Sequence, residues 1–293
     1  MDGAAILTKG LTKHFGDVVA LDSLDLEVRR GEIFGFLGPN GSGKTTTIRL
    51  LLSLIHPTRG TASILGVPVG DVERAHRHLG YVPGDVSLWP QLTGTETLEL
   101  LGSAAGGVDT AFRSELVERF DVDLSRRMRS QSKGNRQKIA VVSAFMCRPD
   151  VLLLDEPTAG LDPLMEEQFQ VLARDAAARG QTIFLSSHIL DEVQDLCDRV
   201  GILRAGHLVE VATLEELRRL RATIVEVVVD GPVPVLGDVP GVTSVEALPG
   251  TTGGLRISVT GSPDALLARL AQSRVVRLRT DEPSLEEIFL TYY

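Results

Sequence analysis

The stretch GEIFGFLGPNGSGKTTTIRLLLSLI, residues 31–55, decides the fold. A short apolar run is followed by a glycine-rich turn and then by apolar residues at helical spacing. Inside it, GPNGSGKT (residues 38–45) fits G-x-x-x-x-G-K-[ST] at every fixed position, and it lies between a strand and a helix as that pattern requires. Gly38, Gly41 and Gly43 let backbone amides turn inward around phosphate oxygens. Lys44 places a cation by the β- and γ-phosphates. The Thr45 hydroxyl is sized to ligate Mg²⁺, and the helix opening there adds the positive end of its dipole. Pro39, Asn40, Ser42 and Thr46 complete the expected nucleotide-binding turn.

Working outward, VLLLDEP (151–157) and TIFLSSH (182–188) contain continuous apolar runs, typical of parallel strands covered on both faces. Helical patterns separate and follow them, so the chain reads as an α/β sheet with right-handed crossovers. Asp155, at the end of its strand, is placed to hold the Mg²⁺ shell. Glu156, one residue on, can polarise a water against the γ-phosphate. Acids are also common at plain solvated strand ends, and the phosphate turn is what favours the chemical reading.

Residues 4–9 and 24–29 alternate like strands of an antiparallel sheet. A short helix is expected over 71–80, then the strand LGYVP. From about 90 to 146 the patterns are mostly helical. Within that span SQSKGNRQKI (130–139) forms a second helix mouth, with Ser and Asn as ordinary cap residues. Near residue 220 the texture turns rich in Val, Pro and Gly, and strands, a helix, a strand and a final helix (SLEEIFLTYY) follow. The expected division is therefore 1–218 for a nucleotide-binding domain and 219–293 for a small α+β appendage.

The chain has 293 residues, 43% of them apolar, and a formal net charge of -9, which argues against a general nucleic-acid binder. Its two cysteines, Cys147 and Cys197, lack a CxxC partner and suit a reducing cytoplasm. The N-terminus carries no leader pattern, and no apolar run approaches the ~20 residues of a membrane span. Any membrane role is expected to come through a partner chain.

GPNGSGKTTT, SKGNRQKIA, LLLDEPTAGLDP and IFLSSHILDEV, in that order, resemble the ATP-binding subunits of ABC transporters over residues 4–215. The closest resemblance is to ATPases of multidrug and antibiotic-resistance exporters, and EPSLEEIFLTYY resembles the end of their extra C-terminal domain. The resemblance implies a P-loop NTPase fold: a mixed sheet core, an antiparallel N-terminal sheet and a helical signature subdomain, followed by the small C-terminal domain. It implies ATP and Mg²⁺ as ligands, ATP hydrolysis as the activity, and an ATP-dependent homodimer. It also implies a separate transmembrane permease and a peripheral place on the cytoplasmic face of the membrane. Nucleic acid is not an expected partner.

In such a dimer the signature turn of one chain meets the ATP of the other. Here that turn is Ser132, Lys133, Gly134 and Asn135, with Lys133 where glycine is common and Asn135 where glutamine is common. A plain helix cap is the other reading of Ser132. The resemblance further makes His188 a γ-phosphate contact, Asp162 the residue coupling the two sites, and Phe15 the aromatic stacked on adenine, although an isolated Phe is usually core. One position departs: Gly84 stands where a magnesium-touching glutamine is expected, leaving Asp85 or a water to fill the gap. Trp89 either marks the permease-facing surface or folds onto its own domain. Export is the expected direction. Import, or a soluble ATPase acting on ribosomes or DNA, are the other readings of the same motifs.

Overall fold

The computed structural model describes residues 3–219 and 223–281. Strands β1 (Ala4–Phe15) and β2 (Val18–Arg29) form one long antiparallel hairpin, well beyond the two six-residue segments expected. Register shifts around Thr8–Leu11 and Leu11–His14 break the alternation, so the middle of the hairpin does not look like strand. Buried Thr8 sits there because its hydroxyl donates to Leu24 O at 2.8 Å. After β3 (Ile33–Leu37) and helix α1 (Lys44–Leu51), strands β4 (Arg59–Ile64) and β5 (Val67–Pro68) complete a sheet of order β2-β1-β4-β5.

A second sheet carries the site. It takes β3, then β6 (Leu79–Val82) after the short α2 (Val72–His76), then β7 (Val151–Asp155), β8 (Thr182–Ser187), β9 (Arg199–Arg204) and β10 (His207–Thr213). Its order is β10-β9-β3-β8-β7-β6, and β9, β3, β8, β7 and β6 run parallel. Every residue of β3, β7 and β8 is buried, as their apolar runs require. Phe184 packs between Phe34 (ring centroids 5.9 Å apart) and Phe36 (5.1 Å). Registers Leu37↔Ser187 and Asp155↔Ser186 align the carboxyl ends of the three central strands, where open α/β sheets bind ligands.

Three α-helices lie between β6 and β7: α3 (Gly94–Ala104), α4 (Thr110–Arg119) and α5 (Lys133–Phe145). A capping box, Thr93 with Glu96, opens α3, and Asp109 accepts from two amides at the start of α4. Helix α6 (Pro163–Ala178) joins β7 to β8, and α7 (Leu190–Gln194) follows β8. Among the described residues no helix is long and apolar enough to cross a membrane.

The chain divides into two units, residues 1–211 and 212–293, against a sequence boundary placed at 218 by composition. The second unit takes the last two residues of β10 and then α8 (Leu214–Arg219). It then has β11 (Thr223–Asp230), β12 (Val242–Ala247), β13 (Gly254–Val259), α9 (Asp264–Leu270) and β14 (Arg274–Asp281). Its antiparallel sheet, ordered β12-β13-β11-β14, has its own core of Val225, Val227, Ile257, Val259 and Leu266. The expected final helix, SLEEIFLTYY, lies outside the described residues.

Candidate nucleotide site

The glycine-rich turn leaves the carboxyl end of β3. Gly43 sits at φ 115, and a Cβ there would lie 2.7 Å from Ala20 O, so only glycine fits. Gly206 N donates to Ser42 O at 2.9 Å, pinning the turn to the β9–β10 connection. Ser42 Oγ is buried without a hydrogen-bond partner. Pro39, Asn40, Gly41, Lys44 and Thr46 line one cavity with Ala20 and Glu156. Phe15 closes β1 opposite Val18, two residues before Ala20, and is half exposed with Lys13 Nζ 4.9 Å from its ring centre. It is not a core residue.

Lys44 is buried and its Nζ donates to Gly38 O at 2.6 Å and Pro39 O at 3.2 Å. Burial holds its pKa below the ordinary lysine value, while Glu156 and Asp155 pull it back up. Thr45 Oγ1 lies 2.9 Å from Asp155 Oδ2, and Ser186 Oγ donates to Asp155 Oδ1 at 2.5 Å. Thr45 and Asp155 thus offer two hard oxygen donors side by side. That fits Mg²⁺, which takes few protein ligands and fills its shell with phosphate oxygens and water. Among the described residues no group of three or more His, Cys, Asp or Glu could hold a metal by itself.

Glu156 follows at φ 47, a left-handed conformation rare outside glycine. Ser186 holds its amide through both O (3.1 Å) and Oγ (3.2 Å). The carboxylate lies 4.0 Å from Lys44 Nζ and 3.0 Å from His188 Nδ1. Glycine at 84 also faces this cluster, since a Cβ there would lie 3.3 Å from the Asp155 carboxylate. Asp85 is exposed.

The signature turn is more divided. Ser132 is the N-cap of α5, accepting from Asn135 N at 3.1 Å, and Ser132 and Lys133 are exposed. The Asn135 side chain turns inward, bonding Asp123 N at 3.0 Å, Asp123 O at 2.9 Å and Gln131 Oε1 at 2.8 Å. A Cβ on Gly134 would lie 2.9 Å from Gly160 O, so the turn rests on the loop leading to Asp162. Asp162 is exposed and caps α6 through Met165 N at 3.1 Å.

Sequence reasoning passed over Ser186, Gln137, Tyr81 and Glu192. The serine stands two residues before His188 in SSH, and only strand pairing shows that it faces Asp155. Tyr81, on β6, has its hydroxyl pKa raised by burial and then by Asp155.

Strand, phosphate turn and clustered acids together have the layout of a P-loop nucleotide site. The model of the ABC transporter family matches residues 21–159, and that of the "ATP-binding protein DrrA1-3-like, C-terminal domain" matches residues 213–293. The uncharacterized ABC transporter ATP-binding protein all4389 of Nostoc sp. is 41% identical over 68% of this chain, which spans 62% of that relative's length. The daunorubicin/doxorubicin resistance ATP-binding protein DrrA of Streptomyces peucetius is 33% identical over 92% of this chain and 82% of its own. A solved ATP-binding subunit of an ABC transporter superposes at a TM-score of 0.68 and 33% identity, covering 73% of this chain and 92% of its own. The chain belongs to the ATP-binding proteins of ABC transporters, and it is an ATPase of that family.

Proposed function

We propose that this ATPase powers outward movement of a drug-, antibiotic- or lipid-like small molecule through a separate membrane permease. It works as a homodimer on the cytoplasmic face of the membrane, peripheral and held there by that permease. The observation carrying the hydrolytic part is the convergence of Lys44, Thr45, Asp155, Glu156 and His188 at the carboxyl ends of three adjacent strands. Likeness over 92% of this chain to a daunorubicin/doxorubicin resistance protein supports the direction of transport.

Glu156 takes the proton of the attacking water, and His188 holds that carboxylate in place from the far side. Lys44 stabilises charge on the transferring phosphoryl oxygens. Mg²⁺ would be held by Thr45 and Asp155 and, when bound, neutralises charge on the β- and γ-oxygens. Ser132, Lys133 and Gly134 contact the ATP of the second copy; Asn135 supports that turn from inside. Phe15 stacks on adenine.

A groove of about 400 Å³ beside the site suits a permease segment. Half-exposed Trp89 lies in it with Leu88, Leu101 and Tyr81. Tyr81, which lines this groove, has its hydroxyl pKa raised by burial first and then by the charge of Asp155.

The test is Glu156→Gln in excess MgATP. Light scattering is expected to show a dimer for that variant and a monomer for Lys44→Ala. A strictly monomeric Glu156→Gln protein, even beside its permease in vesicles, would sink the shared-nucleotide dimer.

A further inference from the structure

The loop from Glu156 to Asp162 is tied down on two sides. On one, buried Gln137 of α5 donates through Nε2 to Pro157 O at 2.7 Å. On the other, Thr158 Oγ1 donates to Glu192 Oε1 at 2.6 Å. Glu192 belongs to α7, just beyond His188, and its second oxygen accepts from Ser187 Oγ at 2.7 Å. Ser187 Oγ in turn accepts from Ile189 N at 2.9 Å, fixing the bend on which His188 stands. His188 then meets Glu156 at 3.0 Å. The path closes on itself: Glu156, Thr158, Glu192, Ser187, His188, and Glu156 again.

Among the described residues no Lys, Arg or His pairs with Glu192. Both its oxygens go to hydroxyls instead. Nearby Glu166 of α6 is held above the usual carboxylate range by burial first, then by Glu192 and Asp162. An acid set among acids, without a cation, serves poorly as a stabilising ion pair. What it does supply is two acceptors at fixed spacing, one for each loop.

We propose that Glu192 is a positioning residue for ATP hydrolysis, clamping the loop that bears His188 to the loop that bears Glu156 and Asp162. The clamp rests on the roles given above to Glu156 and His188. It adds that their separation is set from behind, by a carboxylate whose two oxygens each hold a hydroxyl. Because the second loop runs on to Asp162, a shift of that loop moves Thr158, then Glu192, then His188 along the same path.

Three variants test it. Glu192→Gln keeps the shape but offers one acceptor oxygen for two hydroxyls. Thr158→Val removes one hydroxyl at constant volume, and Thr158→Ser keeps it. A loosened catalytic pair lowers kcat about 10-fold in Glu192→Gln and Thr158→Val, with KM for MgATP within about two-fold and Thr158→Ser near wild type. The double variant Glu192→Gln/Thr158→Val is expected to be no slower than the worse single one, since both break one linkage. Unchanged kcat in both singles, or a loss that Thr158→Ser fails to restore, overturns the clamp. Glu156→Gln, assayed alongside, separates the two readings. Full activity there overturns the role of Glu156 and the clamp with it, whereas an inactive Glu156→Gln beside a fully active Glu192→Gln overturns the clamp by itself.

Discussion

Asp155 shows how one residue gathers a site. Buried in a strand end, it accepts from Thr45 and Ser186 and lies against the backbone of Gly84. The position that Gly84 fills therefore does face the pair of Thr45 and Asp155, and any side chain there would reach it. Its neighbour Asp85 instead lies exposed in the loop leading to Trp89. Of the two substitutes open at the sequence level, a water is the one this arrangement favours. Asp85→Ala is expected to change the half-saturating Mg²⁺ concentration by no more than about two-fold, the range of an ordinary surface substitution. A magnesium titration of ATPase rate checks this, and a ten-fold rise would hand the missing role to Asp85.

At the scale of elements, α5 opens on a residue with one observed bond, its cap, and one proposed task, the partner's ATP. Ser132 caps the helix through its oxygen while its hydroxyl hydrogen remains available to a phosphate. Ser132→Ala is expected to cost about 1 kcal/mol of stability, the usual value of a lost cap. Ser132→Asn restores the cap, so its melting temperature should return to wild type. If capping were the only task, ATPase rate would return with it; if the hydroxyl meets the partner's ATP, the rate stays low. The same helix shows where legibility ended. β3, β7, β8 and the phosphate turn were readable because their burial on both faces writes an unbroken apolar run. β4 was not, because only Ala62 and Ile64 of RGTASI are buried. β10 and β12 escaped for a related reason: β10 buries only Ala212, and β12 buries no residue. Within the site, Lys44, Thr45, Asp155 and Glu156 lie inside contiguous motifs. Gln137 and Glu192 instead act through partners 20 and 34 residues away, a relation no local pattern contains.

At the scale of the whole molecule, two cores divide the chain. The first unit is organised around Phe34, Phe36 and Phe184, and the nucleotide contacts proposed above all fall within it. The second has its own apolar centre on β11, β13 and α9. Ligand that binds only a folded unit stabilises that unit, by about 2.7 kcal/mol at a hundred times its dissociation constant. Scanning calorimetry of the full chain is therefore expected to show two transitions, with MgATP raising the one that belongs to the first unit. Ile257 is fully buried in the second core, and Ile257→Ala should remove about 2–5 kcal/mol there through lost contacts and the cavity left behind. The variant's lower transition would identify the second unit directly, while its MgATP-sensitive transition and its ATPase rate stay at wild-type values. A single transition that moves as one under both treatments would mean that the units melt together. The second core would then be part of what holds the nucleotide site in shape, and the division at Val211 would be one of contacts without independence.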